Sequence, residues 1–182
     1  MNRILGVAVA AMLFASASAP AGAHLRVGAR APEFRLQAAR GGDVETVDLR
    51  AALAKHVVVL YFFPKAFTKG CTVEAHLFST HAADFAKLGA QVIGVSADDI
   101  GTEKRFSTQA CRSAFLVASD PGLAVAARYD AIYKPTLANR TSYVIARDGT
   151  IAYAYTDLEP WKHVDNTLAA VRALRAAGAT PK

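Results

Sequence analysis

Cysteine is scarce in this chain of 182 residues, which carries only Cys71 and Cys111. Two thiols cannot build a disulfide-dense scaffold, and a chain of this length has a core that needs no staple. Tryptophan occurs once and methionine twice. There is no run of Lys or Arg and no basic stripe interleaved with aromatics. The net charge of +6 is spread along the chain, which argues against a nucleic-acid partner. The five histidines (His24, His56, His76, His81 and His163) are scattered; only His76 and His81 are close, on different helix faces, so no metal set is expected. No other cofactor motif, internal repeat or low-complexity tract is present.

What is there begins with an N-terminus of a distinct kind. Met1-Asn2-Arg3 is basic, Ile4 to Phe14 is apolar, and Ala15 to Ala23 is rich in small residues. Ala21-Gly22-Ala23 fits the small-x-small rule for cleavage, so residues 1–23 are expected to be a secretory signal peptide cut after Ala23. The apolar run is too short for a membrane anchor. The expected product is a single exported domain, residues 24–182, periplasmic and without a membrane contact.

The stretch VVVLYFF, Val57 to Phe63, is continuous, apolar and partly β-branched, the pattern of a strand buried on both faces. Pro64 stops it. From Cys71 the period becomes helical, with Ala75, Phe78, Ala82 and Phe85 three and four apart and Gly89 as C-cap. Before this unit come short strands at Phe34 to Leu36 and Val44 to Val47, a turn at Ala38 to Asp43, and a helical turn at Leu49 to Ala54. After it come a strand over Gln91 to Ser96 and a helix capped by Asp98 or Asp99 that runs to about Cys111. Phe115 to Ala118 is a short strand. Ser119-Asp120-Pro121 is expected to open a helix through Arg128, with Pro121 in its first turn. Ala131 to Asn139 is read as a loop. Thr141 to Ile145 and Ile151 to Tyr155 flank an Asp148-Gly149 turn as a hairpin. Trp161 to Ala176 closes the chain with Val164, Leu168, Val171 and Leu174 on one side. This order gives an α/β layer fold, a central mixed sheet flanked by helices, of thioredoxin-like type.

A thiol at a helix start meets the positive end of the helix dipole and unpaired backbone N–H groups, both of which favour the thiolate. Thr68, one turn earlier, offers a hydroxyl that can donate or accept. Pro64 closes over the position without a competing N–H. Taken singly, each of these residues has a duller role: buried hydrophobe, N-cap, strand terminator.

The joint spacing Pro64-x-x-x-Thr68-x-x-Cys71 after an apolar strand resembles the peroxiredoxin signature. The resemblance runs from Val27-Gly-Ala-Arg-Ala-Pro32-Glu-Phe34 to the final helix, and FFPKAFTKGCTVEA is most similar to the peroxiredoxin Q, or bacterioferritin-comigratory-protein, subgroup. Arg140-Thr-Ser-Tyr143-Val144-Ile145, followed by Asp148-Gly149, resembles the segment carrying the family's catalytic arginine. The resemblance implies that Cys71 attacks a hydroperoxide and becomes a sulfenic acid, with Arg140, Thr68 and backbone N–H groups stabilising the reacting oxygens. Glu74, one turn after Cys71, is either an orienter of Arg140 or an ordinary exposed helix residue.

Two positions depart from the family pattern. Lys69 stands where proline is common. His76 stands where many members of the subgroup carry a resolving cysteine. Cys111, at the end of the next helix, is the remaining candidate resolver, and local unwinding would be needed to join it to Cys71. The implied partners are a hydroperoxide and a thioredoxin-like or small-thiol reductant, and the expected state is a monomer or weak dimer. Two other readings stay open on the residues alone. One is a thioredoxin-like thiol–disulfide oxidoreductase, which wants a second cysteine where Thr68 or Glu74 stands. The other is a non-enzymatic exported protein with a structural Cys71–Cys111 disulfide.

Overall fold

A computed structural model describes residues 24–179. The expected signal peptide, residues 1–23, lies outside the described residues. Strand β3 (Val57–Phe62) lies within a seven-stranded mixed sheet of order β2-β1-β5-β4-β3-β8-β9. It pairs in parallel with β4 (Ala90–Ser96) and antiparallel with β8 (Thr141–Ile145). Beyond β4 lies β5 (Leu116–Ser119), then β1 (Arg35–Arg40) and β2 (Asp43–Asp48); β9 (Ile151–Thr156) forms the other edge.

Side-chain alternation along β3 divides the interior into two cores. Val58, Leu60 and Phe62 enter one, with Leu49 and Leu53 of α1 (Leu49–Leu53) and Val125 and Ala126 of α4 (Ala124–Arg128). Val59, Tyr61 and Phe63 enter the other, which holds residues of α2 (Lys69–Lys87), α3 (Ile100–Gln109) and α5 (Trp161–Ala179). This second core contains both cysteines. The crossovers β3–α2–β4 and β4–α3–β5 therefore lie on one face, as the right-handed rule for parallel connections requires.

The thioredoxin-like α/β reading holds, with local corrections. Ala38 to Arg40 belong to β1, where Ala38 and Ala39 pair with β5; the turn is confined to Gly41-Gly42, at φ 62° and 89°. Two successive left-handed residues are what a tight hairpin joining β1 to β2 demands. Helix α2 begins at Lys69, so Cys71 lies inside its first turn. Helix α4 begins at Ala124, not with Pro121 in its first turn. Leu123 turns left-handed at φ 53°, and the Asp120 carboxylate reaches forward to accept from the N–H groups of Val125 and Ala126. A side-chain cap several residues upstream replaced the expected adjacent one. The stretch read as a loop contains β6 (Ile132–Lys134) and β7 (Leu137–Ala138), which pair antiparallel around Pro135-Thr136. A turn without glycine and strands this short carry little periodic signal.

Tyr61 lies opposite Gly94 in the parallel β3–β4 register, and its ring covers that glycine. A Cβ at Gly94 would stand 2.8 Å from the phenolic carbon and oxygen of Tyr61. The ring is also fully buried and stacked on Phe78, with centroids 4.4 Å apart. Gly94→Ala is expected to destabilise the fold by about 1–3 kcal/mol through overpacking, read as a lower urea midpoint at unchanged slope.

Candidate active site

Cys71 is placed by the junction between β3 and α2. The chain leaves the sheet at Phe62, passes half-buried Pro64, and enters the helix through Phe67 at φ 61° and Thr68 as N-cap. The Thr68 hydroxyl donates to the Lys65 carbonyl at 2.9 Å and makes no side-chain cap. Among the described residues it makes no hydrogen bond to Cys71. The N-terminal amides of α2 are left without that side-chain acceptor, an arrangement that favours an anion at the helix start. Cys71 is 2% exposed there.

Arg140 arrives from the other side of β3. Thr141 pairs with Phe62 in the antiparallel β3–β8 ladder, so the residue entering β8 stands beside the loop leaving β3. Its guanidinium divides its donors among three acceptors: Nη2 lies 3.4 Å from Cys71 Sγ, Nη1 bonds Glu74 Oε2, and Nε donates to the Leu158 carbonyl at 2.8 Å. Gly70 makes this approach feasible, because a Cβ there would lie 3.1 Å from Nη2. Burial works against the charge of Arg140, but Glu74 and the Cys71 sulfur outweigh it and raise its pKa. The sequence motif gave no sign of this use of Gly70.

Glu74 is fully buried, so the exposed-helix alternative is excluded and the contact with Arg140 is made. Burial pushes its carboxyl above the ordinary range, and Arg140 pulls against that rise. Among the described residues its second oxygen, Oε1, has no hydrogen-bond partner, and it lies 3.8 Å from His163 Nδ1.

His163 is the residue that motif reasoning passed over. It is fully buried, between Ser142 Oγ at 2.8 Å from Nδ1 and the Asp157 carbonyl at 2.9 Å from Nε2. A carbonyl only accepts, so Nε2 carries the proton and Nδ1 accepts from Ser142. Burial lowers the imidazole pKa to about 4, against the opposing pull of the Asp157 carbonyl. The loop it anchors, 157–158, is also the one whose Leu158 carbonyl receives Arg140 Nε. The only hint in the sequence was an inward position one residue before Val164 on an amphipathic helix.

Cys111 follows the α3 C-cap Ala110 and is fully buried as a free thiol. Burial, then the nearby Glu103, pushes that thiol well up. Arg112 and Ser113 continue the chain in left-handed conformations, at φ 51° and 59°. His76 lies half-buried in a groove that also involves Ala110, Arg112 and Trp161. Pro64, Thr68, Cys71, Glu74 and Arg140 thus gather at one end of β3, with the Thr68 hydroxyl bonded to the Lys65 carbonyl.

The folded imidazole pKa is depressed, so it contributes stability above its unfolded value near 6.5, and that contribution is lost as pH falls toward 4. For a shift of this size the loss is about 3 kcal/mol. Replacing His163 by Gln is expected to flatten the fall in thermal midpoint between pH 6.5 and 4; an unchanged acid limb would remove His163 as its cause.

A model of the AhpC/TSA family matches residues 27–154. A chloroplastic peroxiredoxin Q of Oryza sativa subsp. japonica is 35% identical over 150 residues, covering 81% of this chain and 67% of that protein. The bcp peroxiredoxin of Helicobacter pylori strain J99 is 34% identical over 151 residues, covering 79% of this chain and 96% of its own length. The crystal structure of peroxidoxin BcpB from Mycobacterium tuberculosis superposes with a TM-score of 0.73 at 29% identity, covering 83% of this chain and 99% of that one.

Proposed function

The chain belongs to the AhpC/TSA family, the peroxiredoxins, and on that basis we propose that Cys71 is its peroxide-reducing thiol and Arg140 the cation that serves it. The protein is a thiol-dependent peroxidase. The observation that carries the assignment of residues is the Arg140 guanidinium, in contact with Cys71 Sγ through one nitrogen and with Glu74 through another.

In the proposed reaction the Cys71 thiolate attacks the terminal oxygen of a hydroperoxide. An S–O bond forms and the O–O bond breaks; sulfur loses two electrons and the peroxide gains them. The terminal oxygen keeps its hydrogen as cysteine sulfenic acid, and the departing alkoxide or hydroxide takes up the proton the thiol released. Arg140 Nη2 and the first-turn amides of α2 stand where negative charge develops. Glu74 and the Leu158 carbonyl hold the other guanidinium nitrogens, so the cation is aimed before substrate arrives.

Cys111 is proposed as the resolving thiol: its sulfur attacks the Cys71 sulfenic acid, a disulfide forms and water leaves. Its burial in the same core as Cys71 and the left-handed pair Arg112-Ser113 beside it support a turn that opens for this step. A thioredoxin-like or small-thiol donor then returns the disulfide to two thiols. The export reading of residues 1–23 places this donor outside the cytoplasm, and a monomer or weak dimer suffices, since one chain supplies every residue named.

Cys71→Ser is expected to reduce hydrogen peroxide consumption with a thiol donor to background while the urea midpoint stays near wild type. Mass spectrometry after one equivalent of peroxide is expected to show a Cys71–Cys111 disulfide in wild type and sulfenic acid in Cys111→Ser. Sulfenic acid in both proteins would remove Cys111 from the cycle and leave an external thiol to reduce Cys71 directly.

A further inference from the structure

Away from the sulfur, a second buried carboxyl sits behind the loop that delivers Cys71. The Ser96 hydroxyl, at the end of β4, lies 2.8 Å from Asp98 Oδ2 and 2.6 Å from Glu103 Oε1, and it accepts the Asp98 N–H at 3.0 Å. A hydroxyl has one proton to give. Facing two carboxyl oxygens, it can donate to only one of them, so the other carboxyl must be the donor and carry a proton of its own. Asp98 Oδ2 already accepts the Ala66 N–H at 2.7 Å, which marks it as the acceptor. Glu103 is fully buried, its Oε2 has no hydrogen-bond partner, and no ion pair reaches it among the described residues. The proton therefore belongs to Glu103.

We propose that Glu103, as a neutral carboxylic acid, is a positioning residue for the catalytic loop. Its proton satisfies Ser96, Ser96 turns its own proton to Asp98, and Asp98 holds the amide of Ala66, two residues before Thr68. This role rests on the reading of Pro64 to Cys71 as the peroxide site. A second contact runs from the same helix to the same loop: Phe106, one turn after Glu103, packs edge-on against Phe67 at 5.2 Å between centroids. Phe67 is the left-handed residue that turns the chain into α2. Helix α3 thus holds the loop by one polar chain and one ring contact.

Loss of the Glu103 proton leaves one hydroxyl proton between two carboxylates, and the charges repel across Ser96. Among the described residues, the titratable groups that interact with Glu103 are Asp98 and Asp99 after β4, Cys111 beyond α3 and Tyr61 on β3, all of them acids. Burial raises the Glu103 pKa to about 8; the Ser96 bond opposes the rise, and Asp98 and Asp99 add to it. The loop is therefore held fully below this pH and released above it.

Two readouts on the full chain in the Cys111→Ser background, between pH 7 and 9.5, test this. One is the single-turnover rate of Cys71 oxidation by hydrogen peroxide; the other is the exchange protection of the Ala66 amide, which needs no activity. Relative to Glu103→Gln, which keeps the shape and an N–H donor but cannot ionise, the parent is expected to be about tenfold slower at pH 9. Its Ala66 protection is expected to fall with a midpoint near 8, while the Gln variant holds its protection across the range. Asp98→Asn is expected to lose Ala66 protection at every pH. Ala66 protection that does not change with pH in the parent overturns the proposal, as does a rate ratio that stays constant while protection falls. If neither protein reduces peroxide yet Ala66 protection titrates as described, the hydrogen-bond chain stands and the assignment of the peroxide site fails.

Discussion

The site depends on one buried guanidinium with its donors already committed. Arg140 is 4% exposed, and it is tolerated there because a carboxylate, a sulfur and a carbonyl receive its nitrogens. A buried charge left with a missing partner is destabilising by several kcal/mol, so each of these acceptors also holds the fold together. The sheet supplies the placement: β3 brings the Cys71 loop to one end and the antiparallel β8 brings Arg140 to the same end. Helix α2 then closes the arrangement by carrying both Cys71 and Glu74 in its first two turns.

A polar shell surrounds this pair and has two halves. His163 anchors the 157–158 segment beneath Arg140 and faces the unpartnered oxygen of Glu74. On the far side of the loop, Asp98 receives the Ala66 amide and α3 packs Phe106 against Phe67. Cys111 follows the C-cap of that same α3, which ends at Gln109, so the helix that packs against the loop leads into the proposed resolving thiol.

Much of this frame was legible in the residues. The two-faced burial of β3 followed from its unbroken apolar run, and Cys71 and Arg140 stood out through a spacing and a segment with strong family resemblance. Glu74 was half legible: its spacing from Cys71 was right, but only the packed helix shows that it is buried. Gly70, His163 and the Ser96–Asp98–Glu103 chain were not legible, because their roles arise from side chains that meet across different elements. The β6–β7 hairpin and the late start of α4 were missed for a local reason. A proline turn without glycine and a cap reaching several residues forward lack the short-range signals that mark such elements.

The central claim is that Arg140, held by Glu74, is what makes Cys71 reactive toward peroxide. The direct measurement is the second-order rate constant for Cys71 oxidation by hydrogen peroxide in Cys111→Ser, with and without Arg140→Lys, at matched pH. Lysine keeps the charge but cannot contact the sulfur, the carboxylate and the carbonyl together. The account predicts a rate lower by about 100-fold or more, the cost of removing a preorganised donor from developing charge. Equal rates in the two proteins would contradict it.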